Sequence, residues 1–280
     1  MPKVYILLPV HNRKEITRGF IKCLTAQTSS NYHLVLIDDG STDGTAEMVK
    51  EYIPSATVLR GKGDWWWAGS LQQGLDWLKD NATNDDDIVL MINDDVEIPP
   101  DFIETGGALS KPGVLMQATL CDDITREVVD SGVVYEEQKM LFRAPKPGEA
   151  VNCLNTNGLF VRWQDLQIVG GFHPYLLPHY LSDYEFTMRA YKKGLTLSVS
   201  PDIKLYWSQG TTGFHLIEED DLLPFLKKTF SKKSAGNPVY WTMFVFLNSS
   251  IKNMPSHLIK IWMSTLRKIL GKSFRRHKQA

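Results

Sequence analysis

Two acidic clusters are where this sequence could do chemistry. The first is Asn93-Asp94-Asp95, followed by Glu97 and the Pro99-Pro100 break. It comes directly after residues 88–92, an apolar run of strand length. Burying charge is costly unless the charge is paired or binds a cation. Ligands of open α/β sheets sit at the carboxyl ends of strands. Asp94 and Asp95 are therefore read as facing a ligand. Hard oxygen donors suit a divalent cation, Mg²⁺ or Mn²⁺, shared with phosphates. An acidic turn capping the next segment would use the same residues, and the triplet alone does not separate the two readings. The second cluster, Asp38-Asp39-Gly40-Ser41-Thr42-Asp43-Gly44, also follows an apolar run, residues 33–37. A third run, residues 3–10, is expected to end at Pro9 and open into His11-Asn12-Arg13, which alone could be an ordinary surface loop.

These groups can act together only if their strands run side by side. Strands are expected over residues 3–10, 33–37, 56–59 and 88–92. Helices are expected over 15–26, 45–52 and 70–79, with Asp43 or Thr42 capping the second. Residues 61–69, GKGDWWWAG, read as a glycine- and tryptophan-rich loop. Alternating strands and helices predict a parallel sheet covered by helices, with the polar strand ends on one edge. No Gly-x-Gly-x-x-Gly follows the first strand, and no Gly-x-x-x-x-Gly-Lys-Ser/Thr loop occurs. A dinucleotide cofactor is therefore not expected, and phosphates would be held by a cation and basic side chains. Beyond residue 100, the pattern predicts a helix over 102–109, strands over 113–120 and 128–134, and a loop over 140–147. A turn at Asn157-Gly158 leads into a strand. A helix over 164–169 ends at Gly170-Gly171-Phe172, a helix over 183–193 stops at Gly194, and a strand covers 195–200.

The ordered set PVHNR, IDDGSTDGT, INDDVEIPPD, GGF and SDYEF resembles family 2 glycosyltransferases of the GT-A fold, over residues 3–212. Asn at the head of the acidic triplet looks most like the rhamnosyltransferase-type members that build bacterial surface polysaccharides. The resemblance implies an inverting, metal-dependent transfer from a UDP- or dTDP-sugar to a saccharide or lipid-linked acceptor. Asp95 would be a metal ligand. Asp94 would face the ribose or support the metal, and Asn93 would offer a weaker, neutral ligand. Asp39, or else Asp38, would accept from the base's imide. Pro9, His11, Asn12 and Arg13 would line the nucleotide pocket, with Arg13 toward phosphate. One of Trp65, Trp66 and Trp67, taken as Trp66, would line the donor site while the others pack. Asp183 would be the general base, although Ser182 replaces the acidic residue usual before it and Asp183 could instead cap its helix. Glu185 is the alternative base, or pairs with Arg189 at i,i+4. The family's metal-binding His after the last strand is missing from Tyr206-Trp207-Ser208-Gln209-Gly210, and His215 could substitute. A sugar nucleotidyltransferase and a non-catalytic nucleotide-sugar-binding protein are the rival readings.

Composition sets the remaining bounds. The chain has 280 residues and a net charge of −1, so no nucleic-acid partner is expected. Residues 251–280 carry eight Lys or Arg and no acid, leaving 23 basic and 32 acidic residues before them. Three scattered cysteines suit a reducing cytosol. The first apolar run is too short for a signal peptide, and no window reaches the ~18 apolar residues of a spanning helix. The expected plan is an α/β GT-A domain, Rossmann-like with a mostly parallel sheet, over 1–215 and a C-terminal helical, basic amphipathic extension over 216–280. The expected location is the cytoplasm, with peripheral contact to the inner face of the membrane through 251–280, whose Trp262 and interleaved Lys and Arg suit an anionic leaflet. A packing helix with a solvated basic end is the alternative.

Overall fold

The computed structural model describes residues 2–82, 84–207 and 222–276, with side chains to residue 271. His215 lies outside the described residues. Strands β1 (Val4–Val10), β2 (Tyr32–Asp38), β3 (Thr57–Arg60) and β4 (Ile88–Met91) are parallel, in the order β3-β2-β1-β4. Helices α1 (Lys14–Thr25), α2 (Thr45–Tyr52) and α3 (Trp66–Asn81) connect them. Next come β5 (Val96–Glu97), α4 (Phe102–Leu109), β6 (Val114–Asp122), β7 (Val128–Asp130), and the hairpin of β8 (Val134–Glu136) and β9 (Leu141–Arg143). They are followed by β10 (Leu159–Arg162), α5 (Trp163–Val169), α6 (Ser182–Lys192) and β11 (Thr196–Trp207). The sheet continues β4-β10-β6-β11-β5; β10 is antiparallel to both neighbours, and β6 and β11 are parallel.

Strand alternation divides the core. Val4, Ile6, Leu8 and Val10 of β1 face a cluster with Phe20, Ile21 and Leu24 of α1, Val49 of α2 and Phe102 of α4. Tyr5 and Leu7 face the other cluster, with Leu71, Leu75 and Leu78 of α3, Leu166 of α5 and Phe186 of α6. A strand with apolar residues on both faces must be covered on both, which gives three layers.

Four expectations change. Helix α3 starts at Trp66, so two of the three tryptophans are helical. Residues 128–134 split into β7 and β8, with Gly132 at φ +92 between them. The expected loop 140–147 contains β9. The last strand runs on to Trp207, because a register shift between Ser200 and Lys204 absorbs Pro201.

The C-terminal helices are α7 (Leu222–Thr229), α8 (Pro238–Asn248) and α9 (Met254–Arg276). Asn237 caps α8 by accepting from the Val239 amide, with Pro238 in the first turn. Phe244 of α8 is fully buried in a third cluster with Tyr135, Leu177, Leu181 and Met188. Burying one such ring contributes roughly 2–3 kcal/mol. Lys192 Nζ donates to the Asn248 carbonyl at 2.9 Å, and Glu137 Oε1 accepts from the Ser250 amide at 2.6 Å. The C-terminal helices thus share a core with the sheet domain.

Candidate active site

The strands β1, β2 and β4 end on one edge. Pairing of β1 with β4 stops at Leu7–Met91, while pairing with β2 continues through Pro9. Pro9 is therefore inside β1 rather than at its end, at the level where β4 has already left. A crevice opens there, and the polar loops fold into it. His11 Nδ1 donates to the Asp39 carbonyl at 2.6 Å, and Asn12 Nδ2 donates to His11 Nε2 at 3.2 Å. A carbonyl only accepts, so the His11 proton is on Nδ1. Asn12, at φ +51, accepts from the Thr42 amide and donates its own amide to Ser41 Oγ. Asp43, one residue before the capping position, accepts from the Thr45 and Lys14 amides.

The acidic triplet is buried and already engaged. Arg13 Nε lies 3.2 Å from Asp94 Oδ1, and its Nη2 lies 3.1 Å from Asp95 Oδ2. Arg13, expected toward phosphate, bridges the two carboxylates in this structure. Thr17 has no exposed surface on α1 because its hydroxyl donates to Asp94 Oδ2 at 2.7 Å. Burial pushes the Asp94 carboxyl up to about 6, although Arg13 and Thr17 hold it down. The Asn93 amide donates to Asn157 Oδ1, and the buried Asn93 Oδ1 has no hydrogen-bond partner among the described residues.

Asp39 has a structural job that its sequence context did not announce. Its Oδ1 accepts from the Gly63 amide at 2.8 Å, and its Oδ2 accepts from the Trp65 and Trp66 amides at 2.9 and 3.1 Å. One carboxylate thus organises the GKGDWW loop and caps α3. Gly61 is required beside it, since a Cβ there would sit 2.5 Å from Asp39 Oδ1 and 2.7 Å from the Trp65 ring. Asp38 instead accepts from the Ser41 amide. Trp66 is held at φ +57, a rare conformation for a bulky residue.

Contacts then run from this loop to Asp183. Trp66 meets the His179 ring edge-on, with centroids 5.9 Å apart. The Ala68 amide donates to the Pro178 carbonyl, and Trp67 Nε1 donates to Thr156 Oγ1. Asn155 Nδ2 donates to Asp130 Oδ2 at 2.6 Å, and Asn155 Oδ1 accepts from the Asn157 amide. Thr187 Oγ1, one turn beyond Asp183, bonds both the amide and the carbonyl of Leu154. Residues 154–157 therefore link the triplet, the tryptophan helix and the first turn of α6. Sequence reasoning placed a turn at Asn157-Gly158, gave Asn155 and Thr156 no role and missed Asp130 altogether. The local signal was Asn155-Thr156-Asn157, three polar side chains before a buried strand.

Asp183 is not the helix cap. Leu181 takes that position at φ +68, and Asp183 lies within the first turn. Its Oδ1 accepts from the Tyr184 amide, and among the described residues no cation pairs with it. Burial, with a smaller push from Asp130, raises its carboxyl to about 6. Glu185 is different: Arg189 donates to both of its oxygens, at 2.7 and 3.0 Å, and also holds the carbonyls of Val169 and Gly171. That ties Gly170-Gly171-Phe172 to α6. Gly171 leaves room for Gln72, whose Oε1 accepts from the Phe172 amide at 2.7 Å.

The described residues contain no group of three His, Cys, Asp or Glu able to hold a metal ion. The donors present are hard oxygens, Asp95 and the orphan Asn93 Oδ1. That chemistry fits a cation completed by phosphate oxygens rather than enclosed by protein.

Residues 5–106 match the family model described as Glycosyl transferase family 2. Over 211 residues, 72% of this chain, the sequence is 24% identical to glycosyltransferase AglE of Haloferax volcanii. The S. aureus TarS 1–349 structure, solved with UDP-GlcNAc, superposes with a TM-score of 0.61 at 17% identity, covering 98% of this chain and 73% of that one. GalNAc-T7, solved with UDP, GalNAc and Mn²⁺, superposes with a TM-score of 0.60 at 12% identity, covering 94% of this chain. The chain spans 66% of AglE and 54% of the GalNAc-T7 chain. The family match is confined to residues 5–106, and the solved structures share the fold, a mostly parallel GT-A sheet flanked by helices.

Proposed function

We propose that this chain is a family 2 glycosyltransferase, an inverting enzyme that moves a sugar from a UDP- or dTDP-sugar to a saccharide or lipid-linked acceptor. One observation carries this reading: Asp183, a carboxylate that no cation among the described residues pairs with, is joined by a short run of contacts to the acidic strand ends. In a single displacement, Asp183 takes the proton of the acceptor hydroxyl. The hydroxyl oxygen bonds to the anomeric carbon, and the bond to the diphosphate breaks with its electrons leaving on phosphate. Inversion follows from the family resemblance and from having Asp183 as base with no clear nucleophile partner among the described residues. Arg189 removes Glu185 from that role.

Asp39 keeps lone-pair capacity for an imide donor beyond its backbone bonds. Pro9, His11, Asn12 and Trp66 line the rest of the nucleotide pocket. Asp95, with Asn93 Oδ1 and the donor's phosphates, would hold Mn²⁺ or Mg²⁺, and such a cation offsets negative charge on the departing diphosphate. Support for that donor class comes from TarS, solved with UDP-GlcNAc, and GalNAc-T7, solved with UDP and Mn²⁺. The Asn-headed triplet favours a rhamnosyltransferase-like specificity in surface polysaccharide synthesis, carried out at the cytoplasmic face of the membrane.

The deciding experiment measures transfer and donor binding for Asp183→Asn. The expected result is a loss of kcat of about 10²–10⁴-fold with donor affinity nearly unchanged. Unchanged turnover overturns the assignment. Asp95→Ala should weaken nucleotide binding in Mn²⁺ and leave it unchanged in EDTA; indifference to both removes the metal from the proposal.

A further inference from the structure

The turn between α7 and α8 reaches the candidate site. Lys232 Nζ lies 5.6 Å and Lys233 Nζ 5.9 Å from the centroid of the Trp66 ring. Both lysines are exposed, and among the described residues neither is in an ion pair. The turn beneath them is fixed. Asn237, nearly fully buried, donates through Nδ2 to the Ser231 carbonyl at 3.1 Å. Trp241 Nε1 donates to the Ala235 carbonyl at 2.9 Å, and the Ser234 amide donates to the Ser231 carbonyl at 3.1 Å. Trp66 is fixed as well, by Asp39 at its amide and by His179 at its ring edge.

Two adjacent ammonium groups held over one indole repel each other. A cation–π contact at an exposed site is worth only about 0.5–1 kcal/mol. An anion of two charges placed between them would relieve the repulsion and gain charge-assisted hydrogen bonds. The cation nearest the acidic triplet, Arg13, is occupied by Asp94 and Asp95, which leaves Lys232 and Lys233 as positive charge without an acidic partner among the described residues.

We infer that Lys232 and Lys233 form a diphosphate clamp over Trp66, which makes the C-terminal helices part of the site. Only the ligand's identity rests on the proposed function: the diphosphate belongs to the nucleotide donor or to a lipid-linked acceptor. The test is a tryptophan-fluorescence titration of the full chain with inorganic pyrophosphate, UDP, dTDP and farnesyl diphosphate. The Lys232→Gln/Lys233→Gln variant should bind the responsive diphosphates about tenfold or more weakly, while Lys232→Arg/Lys233→Arg retains binding. A response confined to UDP or dTDP assigns the donor, and one confined to farnesyl diphosphate assigns the acceptor. Equal binding by wild type and the Gln variant in every arm, or no binding by wild type, overturns the clamp. Lysine-dependent pyrophosphate binding without sugar transfer would sink the transferase reading and keep the clamp.

Discussion

Asp183 and Glu185 lie on the same turn of α6, and their neighbours give them opposite roles. Arg189 takes up both Glu185 oxygens, so that carboxylate is a structural anion. The charge of Asp183 interacts with the Asp130 carboxylate, the Tyr184 hydroxyl and the Cys153 thiol, none of them cationic. Its carboxyl is pushed up to about 6, which suits a base working near neutrality. A base must be ionised, so kcat/KM should fall as pH drops through about 6, the value raised by burial and Asp130. Replacing Asp130 with Asn removes a like charge, which lowers the Asp183 value and moves the acid limb to lower pH. A pH–rate profile of both proteins checks this, and an acid limb that ignores Asp130→Asn would break the electrostatic link. Stability runs the opposite way with pH. A carboxyl raised on folding binds its proton more tightly in the native state, so this group's contribution is largest below its unfolded value. It declines as pH rises toward about 6.

Between elements, Asp39 does what no local pattern could announce. It spans from the end of β2 to the start of α3 and satisfies three amides of an irregular loop. Asp39→Ala leaves those donors without an acceptor, and a buried unsatisfied donor costs about 1–3 kcal/mol. The expected outcome is a loss of roughly 2 kcal/mol or more by urea unfolding, together with lost nucleotide binding; unchanged stability would refute the loop-anchor role. This also explains why α3 was expected to begin later than it does. Gly-Lys-Gly-Asp reads as loop, and the cap that starts the helix comes from 26 positions earlier in the chain. The first four strands and three helices were legible because each strand is an unbroken apolar run and each helix repeats its apolar residues every three or four positions. Asp130, Asn155 and Lys232 were not legible: their meaning depends on contacts to residues remote in sequence. Pro201 hid the second half of β11 because a bulge, not a strand end, accommodates it.

At the scale of the whole molecule, α9 has three sides. His257, Ile261 and Thr265 are buried against the body. Lys260, Arg267 and Lys268 are exposed and basic. Ile259, Trp262, Met263, Leu266 and Leu270 form an apolar stripe that remains 45–64% exposed. Among the described residues no helix is long and apolar enough to cross a membrane, but a helix with apolar and basic faces can lie in the headgroup layer. Val239 and Phe246 of α8 are exposed too, and Trp262 Nε1 donates to Thr242 of that helix at 3.2 Å. Removing α9 would uncover its buried stripe's partners, so truncation would mix loss of lipid contact with loss of packing. Met263→Glu/Leu266→Glu changes only exposed positions. It should leave the melting temperature within about 2 °C, because exposed substitutions cost little. It should also reduce cosedimentation with anionic vesicles by about tenfold or more, since it removes apolar contact and adds repulsion. Neutral vesicles should retain less wild-type protein than anionic ones, because the basic face then has no counter-charge. If the variant pellets like wild type, the stripe does not touch lipid, and a lipid-linked acceptor loses its structural support.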